Sequence, residues 1–224
     1  MKNLENKFLN QNFSYFVGAI QGDGSRWDFF DKKMNYMRNG LSFNSIDFIL
    51  VKKMSFIMNK AFKRKTNVYH KKDGSFGFTT SIKTLLKTFQ SLEIDFKDPP
   101  KPPSWILKNI KFFGPYLAGV IDTDGSVCIK RKKYPQCKIK IISGHPQVEL
   151  KSSIEKILNC KASIEDSGKI MKSTGKWYPG FDLVFLVSSK NNEIFRKYIV
   201  PHIQLERKKN IIELYLKKYM KTNN

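Results

Sequence analysis

Two aspartates are the residues best placed to do chemistry: Asp23 and Asp124, each near the end of the same short pattern. The segment YFVGAIQGDGS (Tyr15 to Ser25) recurs as YLAGVIDTDGS (Tyr116 to Ser126), so the two acids stand 101 positions apart (124 minus 23). A lone Asp-Gly is commonly only a turn. Here each copy ends a short apolar helix, built on Phe16, Val17, Ala19 and Ile20 in the first and on Leu117, Ala118, Val120 and Ile121 in the second. Gly18 and Gly22, like Gly119 and Thr123, are four apart and share a helix face, where small residues let two backbones approach closely. Gly24 and Gly125 suit a C-terminal stop. With the copies packed face to face, Asp23 and Asp124 emerge side by side at the negative ends of two helices, where they repel. Divalent cations relieve that repulsion by sharing the carboxylates, with carbonyl and water oxygens completing an octahedral shell. Facing a phosphodiester, such ions activate water and neutralise charge on the scissile phosphate. The pair fits a metal-ion phosphodiesterase.

The elements that must position this pair repeat as well. Four prolines within five residues, in KDPPKPPSW (Lys97 to Trp105), cannot lie in a helix or central strand and mark a stiff linker. The chain is thus expected to divide into a half-domain at 1–96, a linker at 97–111 and a second half-domain with a C-terminal helix at 112–224. Leu50, Met54, Ile57 and Met58 have the helical spacing of Leu150, Ile154, Ile157 and Leu158, and Phe78 to Phe89 resembles Leu186 to Tyr198. Strand patterns fall at Ser25–Asp31, Leu41–Ser45, Thr66–His70 and Phe76–Thr80, then at Val127–Lys130, Cys137–Ser143, Lys161–Glu165 and Asp182–Val187. A longer hairpin is expected in the second half, around Gly168 to Gly180. The tail Gln204–Met220 reads as one more helix, with Ile211, Ile212, Leu214 and Tyr215 on its apolar face. The fold class is α+β: a pseudo-symmetric duplication of αββαββα halves, each with an antiparallel four-stranded sheet.

Charge narrows the partner. Forty-one Lys and Arg against nineteen Asp and Glu leave a net +22, which favours a polyanion because neutralised phosphates release counterions. Nucleic acid leads and a membrane does not: there is no 18-residue apolar run, and the polar N-terminus carries no signal peptide. Cys128, Cys137 and Cys160 form no zinc pattern and read as reduced thiols. Basic and aromatic residues interleave along strands and hairpin tips, making a candidate DNA face. In the first half these are Arg26, Trp27, Lys32, Lys33, Tyr36, Arg38, Tyr69, Lys71 and Lys72. In the second they are Lys130, Arg131, Lys132, Lys138, Lys140, Lys169, Lys172, Lys176, Trp177 and Tyr178.

Both repeated segments resemble the LAGLIDADG motif of homing endonucleases, the second closely (LAGVIDTDG) and the first more loosely (FVGAIQGDG). The duplicated element order and the proline-rich linker are similar to the single-chain members of that family, so the resemblance covers nearly the whole chain. It implies that Asp23 and Asp124 bind magnesium (manganese or calcium can occupy such sites), with the carbonyls of Gly22 and Thr123 as nearby ligands. It also implies a monomer whose sheets saddle double-stranded DNA. Gln21 departs from the motif, matched by Asp122 in the second copy, at a position that is not a metal ligand in the family. Secondary active-site candidates are Asn44, Ser45 and Asp47 in the first half and Ser143 and His145 in the second. A basic residue is expected near the site, and Arg26, Lys130 and the run Arg207, Lys208 and Lys209 all compete for that role. Two unlike halves, each following about one turn of B-DNA, imply a non-palindromic site of about 20 base pairs. An RNA maturase acting on its host intron is the alternative function. With no targeting signal, an organelle or the cytoplasm of an AT-rich microbe is the expected location.

Overall fold

The computed structural model describes residues 8–81, 84–96, 99–131, 133–171 and 177–220, apart from the side chains of 169–171. The first half runs α1 (Gln11–Asp23), β1 (Gly24–Asp31), β2 (Tyr36–Ser45), α2 (Phe48–Phe62), β3 (Tyr69–His70), β4 (Phe76–Thr80) and α3 (Leu85–Ser91). A single helical turn, α4 (Ser104–Leu107), leads to the second half. That half runs α5 (Ile110–Asp124), β5 (Gly125–Lys130), β6 (Gln136–Ser143), α6 (Val148–Leu158), β7 (Ala162–Met171), β8 (Trp177–Val187), an irregular helical run over 192–202, and α8 (Glu206–Tyr219), the run opening with α7 (Asn192–Ile194). Both sheets are antiparallel and share one order, β1-β2-β4-β3 and β5-β6-β8-β7. The expected duplication is present in the topology.

The helices form where the apolar spacing places them. Asn10 and Asn109 cap α1 and α5, each side chain accepting a backbone N–H of the first turn. Leu50, Met54, Ile57 and Met58 are buried, as are Leu150, Ile154 and Leu158, against Leu41, Phe43 and Phe78 in one sheet and Ile139, Ile141 and Phe185 in the other. Strand alternation then turns the remaining side chains toward the opposite face of each sheet, the one expected to be concave toward DNA.

Four strands differ most from the pattern-based reading. β3 is only Tyr69–His70, because Thr66 is drawn into hydrogen bonds with Ser55 and Asn59 instead of a ladder. β2 begins at Tyr36, extending the first hairpin beyond the residues that β4 covers. β7 and β8 are longer than expected and pair through to Met171 and Trp177, with a bulge at Asp166/Gly168. In α8 the buried stripe is Lys208, Ile212, Tyr215 and Leu216, while Leu214 is 56% exposed. Ile212 and Tyr215 of the expected apolar face are buried and Ile211 packs partly against the core, so only Leu214 falls off the stripe. Among the described residues no helix is long and apolar enough to cross a membrane.

Candidate active site

The site begins with the contact between α1 and α5. A Cβ on Gly18 would strike the Tyr116 carbonyl, and one on Gly119 would strike the Tyr15 carbonyl and lie 2.8 Å from the Ala19 nitrogen. The two backbones therefore touch where the small residues face each other. Gly22 continues the contact: a Cβ there would meet Thr123 Oγ1 and lie 2.6 Å from Asp124 Oδ2. Thr123 turns its hydroxyl back onto its own helix, donating toward the carbonyls of Gly119 and Val120. Gly24 and Gly125 close the helices in extended conformation (φ −82° and −83°), not the left-handed one. They are needed there because a Cβ would collide with the carbonyls of Ile20 and Ile121.

Asp23 and Asp124 thus end two abutting helices between the two sheets. Crowding by protein raises the Asp23 carboxyl from the usual aspartate range to about 6. The ammonium of Lys208 opposes that rise and the carboxylate of Asp47 adds to it. Lys208 is the basic residue the structure brings to the pair. The residue is only 6% exposed, and its ammonium donates to the carbonyls of Ile121 (2.6 Å) and Asp122 (2.7 Å) in the last turn of α5. Burial lowers its pKa to about 8, against the pull of Asp122, Asp124 and Asp23. Asp47 is ion-paired with Arg207 of α8 at 2.8 Å, so the C-terminal helix also joins the first half.

The other candidates separate by strand geometry. Ser45 and Ser143 hold equivalent turns, each hydroxyl accepting the N–H two residues on, from Asp47 and His145. Asp47 reaches the site, whereas His145 is exposed and carries no described contact with the aspartates. Asn44 lies over Gly77 on the concave face of the first sheet. Arg26 pairs with Leu41 in the ladder, which turns it to the opposite face, where it meets Asp28 at 3.5 Å. Both expected roles for Arg26 are thereby corrected. Lys130 ends β5 roughly 17 Å from Gly125 at strand rise, too far to serve the aspartates.

The concave faces carry much of the expected nucleic-acid set. Trp27, Tyr36, Arg38 and Tyr69 lie on the first, and Lys130, Lys138, Lys140 and Tyr178 on the second, while Trp177 alternates to the other side. Lys32 and Lys33 sit in the β1–β2 turn, Lys71 and Lys72 in the β3–β4 turn, and Arg131 follows β5 in left-handed conformation (φ 63°). Lys169 is in β7, with its side chain outside the described set; Lys132, Lys172 and Lys176 lie outside the described residues. The faces are not uniformly cationic, as the composition suggested. Arg38 is paired with Asp31 (2.7 Å), Lys138 with Glu165 (3.5 Å) and Lys140 with Asp182.

The role of the motif departure was hidden in the sequence. Asp122 is 2% exposed and accepts from the Tyr15 hydroxyl (2.7 Å) and from the backbone N–H groups of Gln204 (2.8 Å) and Leu205 (3.2 Å). Gln21 accepts from the Tyr116 hydroxyl (2.8 Å) and donates to the carbonyls of Asp95 and Lys101 (both 2.9 Å).

No family model and no curated protein sequence matches the chain. Solved structures do match. A mesophilic variant of the homing endonuclease I-DmoI shares 16% identity over 88% of this chain and 90% of its own, with TM-score 0.56. The LAGLIDADG homing endonuclease I-LtrWI, bound to target DNA, shares 14% over 93% and 91%, also at 0.56. A variant of I-SmaMI shares 14% over 92% of each chain, at 0.55. The chain has the fold of the LAGLIDADG homing endonucleases.

Proposed function

We propose that this protein is a site-specific DNA endonuclease that hydrolyses both strands of a long, asymmetric duplex target with divalent cations held by Asp23 and Asp124. The observation carrying this reading is that two carboxylates close abutting helices, each leading into one of two four-stranded sheets, with one carboxyl held near pKa 6. Structures sharing the fold include a variant of I-DmoI with its target DNA in the presence of magnesium, and I-DmoI with DNA and manganese, which supports the same substrate and metal class here.

The donor set fits a hard cation. The protein's ligands would be the two carboxylates, with the carbonyls of Gly22 and Thr123 beside them as the motif resemblance implies. Such all-oxygen sets suit magnesium or manganese, with water and phosphate oxygens filling the shell. When bound, the cation supplies Lewis acidity and a water of lowered pKa. The chain's own residues hold the rest of the charge balance. Asp23 must be ionised to bind, and Lys208, buried beside it, favours that form and adds positive charge where a phosphate would enter. Arg207 neutralises Asp47, removing part of the repulsion that raises Asp23. Each half contributes one acid, so one chain completes the site and a monomer suffices. In a mobile intron or intein, such a cut would promote insertion at the uninterrupted allele.

The test is cleavage of duplex spanning the uninterrupted insertion point of the host gene. Magnesium-dependent cutting of both strands is expected, with Asp23→Asn and Asp124→Asn each abolishing cutting but retaining binding. Normal cutting by either variant would refute the assignment.

A further inference from the structure

The concave faces of the two sheets differ in chemistry, and the difference predicts what each half reads. On the first, Trp27 lies flat over Gly40, where a Cβ would strike its ring, and stacks on Phe29 with centroids 5.7 Å apart and planes 24° apart. Phe29 is 50% exposed and Tyr36, across the hairpin, 47%. These three rings share one face, because Trp27, Phe29 and Asp31 alternate on β1 opposite Gly40, Arg38 and Tyr36 on β2. Arg38 is the one cation on that face among the described strand residues. Asp31 holds it at 2.7 Å and its guanidinium lies 5.5 Å from the centre of the Tyr36 ring. The second sheet instead presents Lys130, Lys138 and Lys140. The second face carries one described strand ring, Tyr178, so the stacked apolar plate is particular to the first half.

We infer that the first half reads thymine: the plate formed by Trp27 and Phe29, edged by Tyr36, takes the 5-methyl groups of thymines in the major groove of one half-site. The thymine methyl is the apolar feature of that groove, and apolar side chains contact it directly. The plate is continuous with the face that begins beside Asp23, so a duplex lying over the aspartates runs across it. On the other half Lys130 donates instead to guanine O6 and N7, while Lys138 and Lys140 do so only by exchanging Glu165 and Asp182 for the base. The target is thus thymine-rich on one side and guanine-bearing on the other. This inference rests on the proposal that the saddle binds duplex DNA, but it does not require cutting.

The experiment uses the full chain without divalent metal, selecting from a pool of duplexes with a randomised 30-base-pair centre. The expected product is a site with thymine concentrated in one half. Deoxyuridine replacing thymine there should weaken binding roughly fourfold per contacted methyl, while the same exchange in the other half changes nothing. Phe29→Ser should bind the thymine and deoxyuridine duplexes alike. Recovery of no preferred duplex, equal affinity for both by the wild-type chain, or a preference for single strands (base stacking on the rings) overturns the inference. Because the wild-type comparison stands alone, misfolding of the variant does not rescue it. Failure of cleavage with the deoxyuridine effect intact would instead count against the endonuclease reading.

Discussion

Tyr15 donates to Asp122 across the helix pair, and Tyr116, its counterpart 101 residues on (116 minus 15), donates to Gln21. The two bonds are related by the pseudo-twofold, yet the acceptors differ because their remaining partners differ. Asp122 meets two N–H donors at the start of α8, which a carboxylate satisfies. Gln21 meets two carbonyls around the proline-rich segment, which the amide N–H groups satisfy and an ionised carboxylate cannot. The apparent loss of a motif acid is therefore a fitted lock: each helix fastens the segment that completes its half.

Exchanging the locks should be costly. Gln21→Glu places a carboxylate against the carbonyls of Asp95 and Lys101 at a site 7% exposed. A buried charge facing acceptors should cost about 3 kcal/mol at pH 7. A protonated Glu can still donate, so the loss should shrink as pH falls toward 5. Urea unfolding at the two pH values measures both, and a loss independent of pH would contradict the lock.

The α1–α5 interface makes a sharper demand. Gly119→Ala drives a Cβ into the backbone of Tyr15 and Ala19, atoms that cannot rotate away. The helices must separate, at about 1–3 kcal/mol, and the separation moves Asp23 from Asp124. Cleavage should fall far more than duplex binding. Parallel gel-shift and cleavage assays would show it.

The paired motif, the sheets and the partition of Leu50, Met54 and Ile57 into the core were legible because each depends on local spacing. Lys208 was one of several competing cations, since nothing local distinguishes it from Arg207 or Lys209; only the docking of α8 buries it. Arg26 looked favourable three residues after Asp23, but the pleat reverses it. The acids that neutralise Arg38, Lys138 and Lys140 come from other strands or the far end of a hairpin, so ladder register alone pairs them.

Asp23 couples metal binding, stability and pH. Its folded pKa, about 6, lies above the ordinary 3.8, so the protonated form is favoured by folding. Asp23 therefore reduces stability as pH rises from about 4 through 6, and the reduction is full at pH 7. Asp23→Asn should then raise stability of the metal-free protein at pH 7.5 by up to about 1 kcal/mol after solvent screening of this exposed group, a Tm gain of roughly 2–4 °C. The gain should vanish at pH 4. In the wild-type chain, the magnesium needed for half-maximal cutting should rise about tenfold per pH unit below 6, because protons and metal compete for one carboxylate. A magnesium requirement indifferent to pH between 5 and 6 would sink this coupling.

Lys208 governs the opposite limb. Its folded pKa of about 8 lies below 10.5, so its charge reduces stability at neutral pH and the reduction fades as pH rises from about 8 to 10.5. Lys208→Met removes that buried charge but leaves the carbonyls of Ile121 and Asp122 without their donor. The two effects oppose, and the net change in stability at pH 7 should be under about 2 kcal/mol. Cutting should suffer more, by about a hundredfold, since the ammonium favours ionised Asp23 beside the reacting centre. In the wild-type protein the rate should decline above pH 8 as the ammonium is lost, and in Lys208→Met that limb should be flat. A variant that keeps the same decline would show that another group titrates there and would remove Lys208 from the chemistry.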